Sequence, residues 1–213
     1  MNDENAPPDA PDSHEPQELP AIEFHSPGRF AVHNPAPVMA DSEPVEPAPF
    51  ILGEHLPLER FSQPAEARAH ALAMLQQAQR SLCIYSNDLE PWLYHHSSIQ
   101  EACTRFLLAN PKNRLRILLR DASRAVKQGH RLLTLSRRLS SNLQIRKLHP
   151  DYPAEEVAYL LADDRGLLLR PELDQFAGYA LYQDPARVRL HQAQFDQSWE
   201  TSISDPELRS FLL

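Results

Sequence analysis

The chain has 213 residues, room for one domain of ordinary size plus a further segment, and its net charge of -8 sits almost wholly in residues 1–50. Those 50 residues hold 11 of the 20 prolines and ten acids against one base, Arg29, leaving the other 163 residues at about +1. Such a tail is too polar and Pro-rich to build a core, and no apolar stretch of the chain is long enough for a membrane-spanning helix.

The expected organisation is a disordered acidic tail over residues 1–50 and an α/β domain over 51–213. Met1-Asn2-Asp3-Glu4 offers neither the basic start nor the apolar run of a secretory signal, so a cytoplasmic location is expected. The two cysteines, Cys83 and Cys103, then read as small buried hydrophobes in a reducing compartment.

Residues 51–61 read as the approach to the domain. Ser62 and Pro64 open a helix running to about Arg80, with Ala67, Ala71, Leu72, Leu75 and Ala78 on one face. Residues 81–86 form a strand stopped by Asn87-Asp88. Pro91-Trp92-Leu93-Tyr94 reads as an aromatic loop, and Ser98 with Glu101 as the capping box of a helix through Leu108. Next comes a strand over 115–119, an arginine-rich helix over 123–139 and a strand starting at Leu143. Gly129 inside that helix costs about 1 kcal/mol against alanine, which points to close packing or a kink. Residues 157–162 and 167–169 form a hairpin around Asp163-Asp164-Arg165-Gly166, and a further strand begins at Gly178. Asp184-Pro185 starts a long helix from which Leu190, Phe195 and Trp199 project, and Asp205-Pro206 starts a last turn. Strand–helix–strand followed by hairpins gives a mixed sheet flanked by helices. Only five glycines occur, none spaced to cradle a phosphate, which excludes dinucleotide-binding and P-loop folds.

This layout resembles one half of a phospholipase D-type sandwich. The resemblance is carried by a strand ending in Ser86-Asn87, the central strand–helix–strand, a strand running into Asp163, the segment at Gly178 and a terminal helix with Phe195 and Trp199. In that family an H-x-K-x4-D motif supplies a nucleophilic histidine and a phosphate-binding lysine. Counted back from Asp163, those positions hold Glu156 and Ala158. Without the imidazole no phosphohistidine forms, so the resemblance implies a pseudoenzyme. It also implies a homodimer, because single-half members of the family pair. The segments Tyr85-Ser86-Asn87-Asp88-Leu89-Glu90-Pro91 and Gly129-His130-Arg131-Leu132-Leu133 further resemble an uncharacterised proteobacterial domain. That domain is sometimes joined to an acetyltransferase, which suggests a protein partner of that kind.

Between Arg105 and Lys147 stand twelve Lys/Arg and one acid, Asp121. One reading is a surface for nucleic acid or another polyanion. The other is a solvated helix face balanced by the acidic tail and C-terminal third. On a continuous helix, Arg120, Arg124, Lys127, Arg131 and Arg138 would form one stripe. Ligands of open α/β sheets sit beyond the carboxyl ends of strands, so pocket walls are expected from Asn87, Asp88, Arg120, Asp121 and His149. His130 is either an acid/base or phosphate contact, or a satisfied packing residue. Arg170 either clamps an anion or pairs with Glu172 or Asp174. No Cys/His spacing suits zinc, and no metal or cofactor is expected. The expected function is thus a non-catalytic phospholipase D-like module for an anionic partner or a protein. The alternative is an enzyme with a rebuilt acid/base site around Asp88, Asp121 and His130.

Overall fold

The structure, a computed structural model, describes residues 45–153 and 156–209. The disorder expected for the tail falls, for residues 1–44, outside the described residues. Seven strands form one sheet: β1 (Glu59–Phe61), β2 (Ser81–Ser86), β3 (Arg114–Leu119), β4 (Leu143–Lys147), β5 (Ala158–Ala162), β6 (Gly166–Arg170) and β7 (Gly178–Leu181), in the order β1-β7-β6-β5-β2-β3-β4. β2, β3 and β4 run parallel, and every other pairing is antiparallel. The expected mixed sheet flanked by helices is therefore present.

Side-chain alternation divides the core in two. On one face Leu82, Ile84, Leu115, Ile117, Leu119, Leu160 and Leu168 pack beneath α1 (Pro64–Gln77), α3 (Ser97–Ala109) and α5 (Arg131–Arg138). On the other, Cys83, Tyr85, Leu118, Tyr159, Leu161, Leu167 and Leu169 meet Val188, Phe195 and Trp199 of α6 (Pro185–Glu200). β5 and β6 are buried along their whole length because both faces are covered. Cys83 and Cys103 are buried free thiols, as expected.

Several local expectations are corrected. Residues 59–61 are not mere approach but the edge strand β1, with Glu59 opposite Ala180. Val45, Ala48 and Phe50, placed in the tail by composition, pack against the core, and Ala48 N–H donates to Ala69 O at 2.9 Å. Gln63 rather than Ser62 is the N-cap of α1, and the backbone N–H groups of both donate to Glu66 Oε2 at 3.0 and 3.1 Å. The aromatic segment is one helical turn, α2 (Pro91–Tyr94), not a loop. α3 starts before Ser98, which lies inside it, and His96 is its N-cap. Leu190 is 59% exposed: the buried stripe of α6 runs through Val188, Phe195 and Trp199 instead. Asp184 does cap this helix, Oδ1 accepting from Arg187 N at 3.0 Å. A last turn, α7 (Pro206–Arg209), follows Asp205, whose Oδ1 accepts from Glu207 N at 2.9 Å.

The arginine-rich helix is two helices, α4 (Ser123–Lys127) and α5. Gly129 adopts φ +60°, a left-handed conformation that glycine takes without a Cβ penalty, and the chain turns there. His130 then caps α5, Nδ1 accepting from Leu132 N at 3.2 Å.

Candidate functional site at the carboxyl edge of the parallel strands

The parallel strands end side by side, so their following residues are brought together. Asn87 O accepts from Arg120 N at 3.1 Å and from Asp121 N at 2.8 Å, while Leu148 N donates to Leu119 O at 2.7 Å. The expected wall residues Asn87, Asp88, Arg120 and Asp121 thus meet at one edge. His149 stands just beyond Leu148, with its Nδ1 accepting from Asp151 N at 3.2 Å.

The side chains at this edge are mixed in sign. Asp88 Oδ2 pairs with exposed Arg124 at 2.9 Å, and its Oδ1 accepts from Glu90 N at 3.0 Å. Asp121 accepts from Ser123 N at 2.9 Å. That bond, helped by nearby Lys147 and Lys127, holds its carboxyl below the usual carboxylate range. Lys127 and Lys147 therefore stand near Asp121 while Arg124 pairs with Asp88, so both carboxylates of this edge are already engaged.

The remaining arginines do not complete one stripe. The break at Gly129 separates Arg120, Arg124 and Lys127 from Arg131 and Arg138 on α5. The Arg131 backbone donates to His95 Nδ1 at 3.2 Å, and Arg138 is exposed. Arg116 turns to the opposite face of the sheet, pairing with Asp196 at 2.8 Å and lying 5.1 Å over the Phe195 ring. Arg146 lies there too, 4.6 Å over Trp199.

His130 is fully buried. Burial above all, then His95 with its ring centroid 4.9 Å away and Arg131, drive its pKa down to about 3. The imidazole is neutral at pH 7 and is spent on capping. Asp88, Asp121 and His130 direct their hydrogen bonds to Arg124 and Glu90, to Ser123, and to Leu132 respectively.

Arg170 departs furthest from expectation. It pairs with neither Glu172 nor Asp174 but with Glu90, 80 positions away, in a buried ion pair. Its Nη1 donates to Gln175 O at 3.0 Å, and its guanidinium lies 4.8 Å over the Trp92 ring. Trp92 in turn meets Phe176 edge-on at 4.8 Å. Arg170 stands in register with Ala158, on the sheet face that also carries Ser86. Burial pushes the Glu90 carboxyl up to about 7, against the pull of Arg170 and the Ser86 hydroxyl. Leu89 and Glu90 both take positive φ, 66° and 34°, unfavourable for side-chain-bearing residues. Sequence reading missed Glu90 as a site residue. Its only local signal is an acid between Leu89 and Pro91, and the partner comes from another strand.

No group of three or more metal-ligating side chains is found among the described residues. Nor is any described helix long and apolar enough to cross a membrane.

The fold is shared with solved structures. NucT from Helicobacter pylori superposes with a TM-score of 0.54 at 11% identity, over 71% of this chain and 100% of that one. TrmBL2, described as an archaeal chromatin protein with a novel mode of DNA binding, gives 0.53 at 13% identity, over 71% and 54%. The chain thus covers about half the length of TrmBL2. Nuc from Salmonella typhimurium, a phospholipase D family member, gives 0.49 at 12% identity, over 69% and 96%. The mixed seven-stranded sheet with its flanking helices is the fold shared with NucT and TrmBL2. No curated protein sequence matches the chain. At the level of sequence family, residues 63–211 match the family described as Domain of unknown function (DUF7931), and the chain belongs to it.

Proposed function

We propose that this chain is a non-catalytic phospholipase D-like module that binds nucleic acid along the carboxyl edge of its parallel strands. The observation that carries this reading is the nearness of Lys127 and Lys147 to Asp121, at the edge where Arg124 pairs with Asp88 and the Arg120 backbone is held by Asn87. Cations so placed meet backbone phosphates and release counterions. The DNA binding named for TrmBL2 supports the partner class. Glu156 and Ala158 at the positions of the family's histidine and lysine support binding without cleavage. An acid/base enzyme would need Asp88, Asp121 and His130 to act on one substrate, whereas their bonds go to separate partners.

Fluorescence anisotropy with single-stranded and duplex oligonucleotides across a salt series tests the proposal. Binding that weakens linearly in log salt, with the oligonucleotide recovered intact, is expected. Absence of binding at low salt, both by the full chain and after deletion of the acidic residues 1–44, overturns it.

A further inference from the structure

The Glu90–Arg170 pair is a costly arrangement for a merely structural contact. Glu90 is 4% exposed and Arg170 1%, yet Glu90 Oε2 and Arg170 Nε find no hydrogen-bond partner among the described residues. Leaving such buried atoms unsatisfied destabilises the folded chain. The left-handed conformations of Leu89 and Glu90 add backbone strain at the same place. Desolvation and backbone strain converging on one acid and one base mark a functional site more often than a brace.

Arg170 is also tied to an exposed segment. Its Nη1 is held by the carbonyl of Gln175, in the exposed segment between β6 and β7. Gln175 itself lines a cavity of about 410 Å³, together with Arg60, Phe61, Glu66, Pro171 and Glu172. That volume is within the range of small-ligand sites. Its carboxylates are already engaged: Glu66 takes the two N–H groups at the start of α1, and Glu172 accepts from the Gln175 side chain. Phe176 is 44% exposed and stands edge-on to Trp92, a ring on which a base can stack beside a phosphate held by Arg170.

We infer that Arg170 is a seat for one phosphate group of the bound strand, and that the Glu90 carboxylate is the resident anion this phosphate displaces. A guanidinium fork accepts a carboxylate or a phosphate by the same paired N–H geometry, so the two compete. A seat this recessed takes a phosphate at a flexible single strand or chain end, not one along a rigid duplex. Proton uptake by Glu90 releases Arg170. The groups facing Glu90 are Arg170 on β6, Ser86 on β2, Tyr94 on α2 and Asp88 on the preceding turn, itself tied to Arg124.

The inference rests on the nucleic-acid reading, and the two fail separately. Binding of inorganic phosphate, an unphosphorylated oligothymidylate and its 5′-phosphorylated form is measured for the full chain, for Glu90→Gln and for Glu90→Gln/Arg170→Gln. In Glu90→Gln the competing charge is gone, and single strands should bind on the order of tenfold more tightly; the double variant should lose that gain. A larger gain for the 5′-phosphorylated form identifies a terminal phosphate as the source, and an equal gain identifies a backbone phosphodiester. Wild-type binding with no gain in Glu90→Gln, or a gain that survives in the double variant, overturns the inference; no binding by any form overturns the nucleic-acid reading as well. Should Glu90→Gln fail to fold, wild-type affinity for the unphosphorylated strand is compared at pH 6 and pH 8. Tighter binding at pH 6 is expected, and equal affinity at both overturns the inference.

Discussion

The Asp163 carboxylate accepts the backbone N–H of Arg80 at 2.7 Å across 83 positions of sequence. Its oxygens also take Ser81 N at 3.0 Å and Gln79 N at 2.9 Å. Asp163, the position at which the sequence resembles the phospholipase D motif, thus fastens the β5–β6 turn to the start of β2.

Replacing Asp163 by alanine removes the acceptor of three backbone N–H groups at a largely exposed turn, and it places alanine at φ +54°. A loss of about 1–3 kcal/mol is expected in urea denaturation. Asp163→Asn, which tolerates the left-handed backbone and keeps one acceptor oxygen, should lose less.

His130 gives stability a pH dependence. Its folded pKa, about 3, lies below its unfolded value near 6.5, so below pH 6.5 the unfolded chain binds the proton that the folded chain refuses. Its contribution is present above pH 6.5 and lost as pH falls towards 3. His130→Asn, which can cap α5 without titrating, should flatten that part of the profile. His130→Ala should also remove the cap, worth about 1 kcal/mol, and leave a cavity.

Glu90 acts with the opposite sign. Its folded pKa of about 7 stands above the ordinary 4.5, so its contribution is complete below pH 4.5 and lost as pH rises through 7. Wild type minus Glu90→Gln, measured by chemical denaturation between pH 4.5 and 7.5, should therefore decline with rising pH. A flat difference would contradict the burial of this carboxyl.

The cations should separate by location. Arg124→Ala with Lys127→Ala should lower the salt slope of oligonucleotide binding by about two. Arg116→Met should leave the slope unchanged and cost stability instead, about 1–2 kcal/mol through Asp196 and the Phe195 and Trp199 rings.

The central strands and the β5–β6 hairpin were legible because their apolar runs are short, rich in strand formers and punctuated by turn residues. The face assignment of Arg116 was legible too. Counting by twos from Leu118 sends it away from Ile117 and towards α6, yet a tally of charges by segment hid this. β1 was not legible, since Glu59-Arg60-Phe61 has no pattern of its own and becomes a strand only by pairing with β7. Nor was the helix break foreseeable in full: Gly129 signalled a kink, but a histidine in the capping role of His130 carries no common signature. The Glu90–Arg170 pair was invisible for a simpler reason. Arg170 has acids at 172 and 174, and the choice of a partner 80 residues away is made by the packing of α2 against β6.

The pairing of β1 with β7 has a consequence for synthesis on the ribosome. β1 leaves the exit tunnel more than a hundred residues before its neighbour β7 has been made. Until then Glu59–Phe61 waits with its hydrogen-bonding edge open, and closing so long a loop is slow. Docking of the amino-terminal strand should therefore be among the last events of vectorial folding, and a stall before Leu181 should leave that strand open to another chain.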